Sequence, residues 1–253
     1  MITDAFDISS DAIINPKYNA NNPKYKACIL TFSNIIEEYV LSHYNCKQIS
    51  SFKFVTGVTP IYEIDYKGEK FAFFKTYVGA PACVGTIEDS LTKINTTNYI
   101  VFGGAGCLDK EIARGKIMVP TEAYRDEGTS YHYAAPADYI AVKNTNIVQQ
   151  FLKENGLLYV TGKTWTTDAF YRETQSNFQK RKADGCISVE MECAALQAMC
   201  NFRDLELYMF FTSGDLLDAP KWDDRKFGDN TKLSQHDNTY FKIAIELALY
   251  ISR

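Results

Sequence analysis

Apolar and polar positions along this chain fall into blocks whose period switches repeatedly between that of a strand and that of a helix. Residues 58–65 and 70–78 carry strand-like runs on either side of Tyr66-Lys67-Gly68-Glu69, which predicts a β-hairpin. After Pro23, Ala27, Leu30, Ile35, Tyr39 and Leu41 recur at near-helical intervals, which predicts a helix reaching His43. Upstream, residues 12–15 form a short apolar run stopped by Pro16, read as a first strand. Residues 82–94 read as a helix that returns to a strand at 99–102. Strands follow at 116–120 and 156–162, with an amphipathic helix at 144–155 between them. A small-residue helix starting at Cys193 leads into an apolar strand at 207–211, and a helix at 233–251 closes the chain. Strands alternating with helices, without a linker or repeat, predict one α/β domain over residues 1–253, a central mixed β-sheet flanked by helices.

Composition narrows the classes of function. The net charge is −4 and no basic block occurs, which argues against a dedicated nucleic-acid surface. Seven cysteines lie scattered with no CxxC pair, as expected of reduced, buried thiols in a cytoplasmic protein. The first fifteen residues have no basic start or long apolar core, so no signal peptide is expected. No apolar run approaches the roughly 20 residues that span a bilayer. His43, His132 and His236 lack ligand spacing, so neither a metal nor a cofactor is expected.

Candidate chemistry gathers in four stretches. Gly103-Gly104-Ala105-Gly106 follows a buried strand, where a glycine-rich turn lets backbone approach a ligand. It lacks both GxGxxG and GK[ST], so neither a dinucleotide nor a nucleoside triphosphate is implied. Residues 125–133 are dense in donors and acceptors, fitting a site-lining loop or a solvated turn. Residues 163–172 crowd two threonine pairs and three aromatics into one expected loop, and the polar segment 218–230, with Trp222 and Arg225, has the character of a lid. In residues 187–215, Glu190 and Glu192 flank Met191 before the small-residue helix, and Asp215 lies just past the apolar strand. A packed core alone does not call for such acids. The plainer readings are a charge at a helix N-terminus for Glu192 and a loop cap for Asp215.

The run Val189-Glu190-Met191-Glu192-Cys193-Ala194-Ala195 resembles the VEMEAA segment of the nucleoside phosphorylase-I superfamily, which includes purine nucleoside phosphorylases, uridine phosphorylases and related nucleosidases. Gly79-Ala80-Pro81, the glycine-rich stretch, Phe170-Tyr171 and Asp215 fall in the same order, with Phe170 20 positions before Glu190 (190 − 170) and Asp215 23 after Glu192 (215 − 192). The resemblance implies cleavage of the N-glycosidic bond of a nucleoside, with phosphate as co-substrate. Met191 and Glu192 would hold the ribose; Phe170, Glu190 and Asp215 would meet the base; Asp215 would be the general acid. Phosphate would meet the backbone of Gly104, Ala105 and Gly106, helped by Lys17 or Arg125. It also implies a homo-oligomer, a dimer or trimer of dimers.

Departures from the family pattern bear on the nucleophile. Val101 and Gly104 stand where the pattern carries a phosphate-binding Arg and a Ser or Thr, and Asn15-Pro16-Lys17 replaces an early glycine-aspartate-proline loop. A water-using nucleosidase explains a missing arginine, yet its water-activating glutamate has no counterpart in residues 13–17. Residues 125–133 also resemble the EGxSxHY stretch of uridine phosphorylases, which leaves uridine phosphorylase-like activity as an alternative. Thr174 and Ser176, however, stand near the places of the Gln and Arg that read a pyrimidine, which favours a purine or an unusual base. A non-catalytic nucleoside-binding protein is the alternative of a different class.

Overall fold

The computed structural model describes residues 1–113, 115–219, 221–223 and 235–253, without the side chains of 235–238. Most of the expected lid at 218–230, including Arg225, and the first two residues of the expected closing helix lie outside the described residues. In chain order the elements are β1 (Cys28–Thr31), α1 (Asn34–His43), β2 (Asn45–Phe54), β3 (Gly57–Tyr66), β4 (Glu69–Lys75), α2 (Ala80–Ser90), β5 (Asn98–Cys107), α3 (Lys110–Ala113), β6 (Ile117–Asp126), β7 (Tyr139–Ala141), α4 (Thr145–Glu154), β8 (Tyr159–Thr167), α5 (Gln175–Ala183), β9 (Cys186–Glu190), α6 (Cys193–Phe202), β10 (Glu206–Leu216) and α7 (Gln235–Ile251).

The ten strands form one mixed sheet that closes on itself at one end. Strands β10, β6, β8, β9 and β5 follow one another, and β5 pairs again with β10, so these five make a barrel-like ring. From β5 the sheet continues outward through β1, β4, β3 and β2. Strand β5 is the junction: Val101 pairs with Met209 of β10 on one edge and with Leu30 of β1 on the other.

Alternating side chains build two cores. Val101, Leu207, Met209 and Phe211 point to the face covered by α2 and α6, whereas Ile100, Phe102, Tyr208 and Phe210 point to the face covered by α1, α4 and α7. Phe241 of α7 is fully buried, with ring centroids 4.9 Å from Tyr44, 5.4 Å from Phe73 and 6.5 Å from Phe102. This ring joins α7 to three separate parts of the sheet layer. Among the described residues no helix is long and apolar enough to cross a membrane. All seven cysteines are free thiols, six of them buried.

The α/β class, the β3–β4 hairpin and helix α4 agree with the sequence pattern. The hairpin turns on Lys67 and Gly68, both at positive φ, in the two-residue loop that its turn residues suggested. Other elements differ. Residues 12–15 are exposed and outside any strand, and the first strand is Cys28–Thr31, where a helix was expected. All four of its residues are buried, and a short uninterrupted apolar run suits a strand enclosed on both faces. The helix begins only after Ser33, whose side chain accepts the Ile36 N–H. Strands β5, β6, β8 and β10 all run further than their apolar cores, through glycine, threonine and charged residues. Thus the expected glycine turn is the last part of a strand, and part of the expected 163–172 loop belongs to β8.

Phe241→Ala is expected to lower stability by about 3–5 kcal/mol. In urea titrations this appears as an earlier midpoint with an unchanged slope; a loss below about 1 kcal/mol would mean that the ring does not anchor α7.

Candidate active site

The site forms where β5 lacks a neighbour. Strand β1 pairs with β5 as far as Val101, and β9 takes up the same edge only at Gly106, opposite Val189. Between those points Gly104 is exposed to solvent while β10 continues along the opposite edge. The glycines there are required by space rather than by backbone conformation, for neither Gly103 nor Gly106 has positive φ. A Cβ on Gly103 would stand 3.1 Å from the Phe32 ring. One on Gly106 would stand 2.7 Å from Leu217, 2.8 Å from Val189 and 3.2 Å from the Asp215 carboxylate. Gly106 is therefore where the ends of β9 and β10 close over β5.

At one side of this opening, β9 turns into α6 through Glu190, Met191 and Glu192. The Glu190 carboxylate faces inward: Oε2 accepts the N–H groups of Cys193 at 2.6 Å and Glu192 at 2.8 Å. Oε1 accepts the Thr166 hydroxyl at 2.5 Å, and that hydroxyl oxygen accepts the Ala194 N–H at 3.1 Å. Backbone donors at the start of α6 are thus met by side chains from β8 and β9. Both oxygens of Glu190 are taken by the fold, so the residue proposed from sequence for the base is held here as a strut between strand and helix.

Glu192 projects the other way. Its Oε1 accepts the Gly79 N–H at 2.6 Å, in the bend that ends β4 and starts α2. Gly79 has φ of 102°, a conformation that L side chains rarely adopt, so the glycine of the Gly79-Ala80-Pro81 motif serves to present this N–H. Burial pushes Glu190 up to about 7, against the pull of its hydrogen bonds. Burial and then the neighbouring Glu190 charge push Glu192 up to about 8. Met191, between them, is half-buried.

Asp215 lies on the extended end of β10, half-buried, with Oδ2 accepting the Trp222 indole N–H at 2.7 Å. The one-turn 3-10 helix Phe170–Arg172 follows β8 in the chain. Phe170 is 50% exposed, with its ring free to take a planar partner, and Tyr171 packs against it at 4.2 Å between centroids. The turn ends at the half-buried Glu173; burial, then the like charge of Asp215, push Glu173 up to about 7. No motif or periodicity singled out Glu173, because its surroundings are set by tertiary folding.

The two cations suggested for phosphate are placed elsewhere. Arg125 is buried, donating from Nε to Ser130 Oγ at 2.8 Å, from Nη1 to Ala135 O at 2.7 Å and from Nη2 to Ala134 O at 3.2 Å. Its guanidinium also stacks 4.1 Å from the Tyr131 ring centroid, so it scaffolds the 125–135 loop. Lys17 is exposed, two residues from Asn15, which accepts a hydrogen bond from Arg203 at the far end of α6. Eleven residues of helix and cap separate Arg203 from Glu192 (203 − 192), on the order of 15 Å. Among the described residues no group of three or more His, Cys, Asp or Glu is placed to hold a metal ion.

A mixed sheet closing into a ring, with acids at the ends of β9 and β10, defines an α/β protein built around a strand-end site. The profile of the phosphorylase superfamily matches residues 26–240, and the chain belongs to that family. It is 23% identical over 192 residues to a DeoD-type purine nucleoside phosphorylase of Exiguobacterium sibiricum, covering 74% of this chain and 78% of the relative. It is 25% identical to a uridine phosphorylase of Haemophilus influenzae, covering 64% and 71%. The AMP nucleosidase from Bacteroides thetaiotaomicron superposes with a TM-score of 0.67 over 90% of this chain and 88% of its own, at 18% identity.

The raised Glu190 carboxyl has a consequence for stability. Unfolded, it ionises near its ordinary 4.5; folded, it keeps its proton to about 7. Between those values the folded state binds more protons, so its contribution to stability is greatest below pH 4.5 and is lost as pH rises to about 7. Glu190→Gln, which keeps an acceptor for the α6 N–H groups, is expected to flatten the fall in urea midpoint between pH 5 and 8. An unchanged slope in the variant would assign that pH dependence to other groups.

Proposed function

We propose that this chain cleaves the N-glycosidic bond of a purine nucleoside. The observation that carries this reading is that Gly106 of β5 touches both Val189 of β9, from which the chain leads through Glu190 to Glu192, and Asp215 of β10, so the two acidic stretches come to the same strand end. Cleavage passes through a ribose with oxocarbenium character, and a carboxylate at the sugar hydroxyls orients the ring and favours its charge. In this reading the Glu192 carboxylate meets those hydroxyls, with Met191 beside the sugar. The departing base leaves more readily when it gains a proton, the part given to Asp215, while Phe170 offers its half-exposed ring as a stacking face.

A purine is supported by the local structure at Thr174 and Ser176. The Thr174 hydroxyl caps α5 by accepting the Asn177 N–H, and Ser176 lies 3.3 Å from it. Neither provides the paired donors and acceptors that reading a pyrimidine edge demands. Phosphate as nucleophile would meet the exposed backbone at Gly104 and that of Ala105 and Gly106, making ribose 1-phosphate. Water is the second reading, favoured by the commitment of Arg125 to its own loop and the remoteness of Lys17. Assembly into a homo-oligomer is part of the same proposal.

Incubating the protein with a nucleoside panel, with and without phosphate, separates the readings. Base release that requires phosphate supports phosphorolysis, equal release without it supports hydrolysis, and tight binding without release makes the chain a nucleoside-binding protein. Glu192→Ala is expected to lower kcat/KM roughly 100-fold through weakened ribose binding and slower chemistry. Asp215→Asn is expected to lower kcat on purine nucleosides by a comparable factor, on the order of 100-fold. Full turnover by Asp215→Asn would remove it as the acid.

A further inference from the structure

The two tryptophans of the chain are placed very differently. Trp165 is buried in the sheet, whereas Trp222 is 69% exposed, so packing does not explain where its ring sits. The backbone explains it. Leu216 N–H donates to Asp223 O at 2.8 Å and Asp223 N–H to Leu216 O at 3.3 Å, an antiparallel bridge that returns the chain to the end of β10 one residue past Trp222. The outgoing arm is fastened as well. Leu217 N–H donates to Cys107 O at 3.0 Å, and Asp218 Oδ2 accepts Lys182 Nζ at 3.0 Å and the Lys110 N–H at 3.4 Å. One arm is therefore tied to the end of β5 and to α5, the other to β10. Between them the Trp222 indole N–H donates to Asp215 Oδ2 at 2.7 Å, and among the described residues it is the donor that reaches that carboxyl group. Lys182, the cation of α5 nearest this loop, is engaged with Asp218 and Asp109.

We propose that Trp222 is a positioning residue for glycosidic cleavage, holding the Asp215 carboxyl group in place and meeting the charge it acquires as it gives up its proton. This inference rests on the reading of Asp215 as the acid. In the step, the C1′–N9 bond breaks and its electron pair passes to the purine, while the nucleophile bonds to C1′. Asp215 gives a proton to N7 from Oδ1, the oxygen turned toward Gly106. The electron pair of that O–H bond stays on Asp215, which becomes a carboxylate and regains its proton from water after the base has left. The indole N–H, already donating to Oδ2, meets the new negative charge. A donor set in advance where charge develops needs no reorganisation when the charge appears. The same hydrogen bond fixes the rotation of the carboxyl group, so that Oδ1 is the oxygen presented to the base. Trp222 acts on the base only through Asp215.

The test compares guanosine and adenosine with their N7-methyl counterparts, whose bases carry the positive charge already and leave without being protonated. Trp222→Phe keeps an aromatic ring and removes the N–H. It is expected to lower kcat on the unmethylated nucleosides about 10-fold, with KM changed less than about 2-fold. On the N7-methyl substrates its kcat should stay within about 2-fold of the wild type. Its urea midpoint should match the wild type, because the ring it replaces is mostly exposed. When Trp222→Phe is combined with Asp215→Asn, the loss on unmethylated nucleosides should equal that of Asp215→Asn alone, since a residue acting through another adds nothing once the other is gone. Equal losses on methylated and unmethylated substrates, no loss on either, or fully multiplicative losses in the double variant would overturn the role of Trp222 while leaving glycosidic cleavage standing. A wild type that releases base from none of the four nucleosides overturns the cleavage reading, and with it this one.

Discussion

The buried carboxylate of Glu190 is the interaction on which the rest of the site depends. It binds strand β9 to helix α6 and, through Thr166, to strand β8, in a place where backbone N–H groups would otherwise lack partners. An unsatisfied buried donor costs about 1–3 kcal/mol, so three such donors could not be left open cheaply. Because Glu190 fixes the turn, Glu192 two residues later can face the opposite way and meet the Gly79 N–H. The VEME motif thus combines two buried carboxyls with opposite duties: one is spent joining strand to helix so that the other can turn toward the Gly79 N–H.

A second constraint is space around β5. Its edge is shared by β1 and β9, leaving Gly104 open between them, and β9 and β10 close over Gly106 so tightly that a methyl group would collide with Leu217 and Val189 and crowd Asp215. The strand-end site and the ring of strands are consequences of the same crowding. Extension of β8 and β10 past their apolar cores brings the threonines to Glu190 and Asp215 to the opening.

Much of this was legible in the sequence where one physical signal dominated. The hairpin at Lys67-Gly68 was readable from turn chemistry and α4 from its amphipathic period. The acids at 190, 192 and 215 were readable because a buried carboxylate demands a reason. The ends of strands were less legible, since Gly103–Gly106 and Thr164–Thr167 have the composition of loops and are strands only because neighbouring strands lie on them. The helix expected at Ala27 failed for a related reason: four successive buried residues have no period to distinguish helix from enclosed strand. Arg125 and Glu190 looked like ligand groups because sequence reports charge, whereas their hydrogen-bond partners, which decide their use, are set by tertiary contacts. Glu173 carried no signal at all, since the burial that raises its pKa arises only in the folded chain.

The single hydrogen bond from Gly79 to Glu192 leads to a further consequence. At neutral pH this carboxyl is held mainly in its protonated form by burial and by Glu190. On the proposed reading, a sugar that offers two hydroxyl donors to Glu192 asks for the ionised form, so seating it there would expel a proton into solvent. Recognition of such a ligand and the acidity of the medium would then be thermodynamically linked: affinity would climb with alkalinity until about pH 8, and the heat of association would vary with the buffer that takes up the proton.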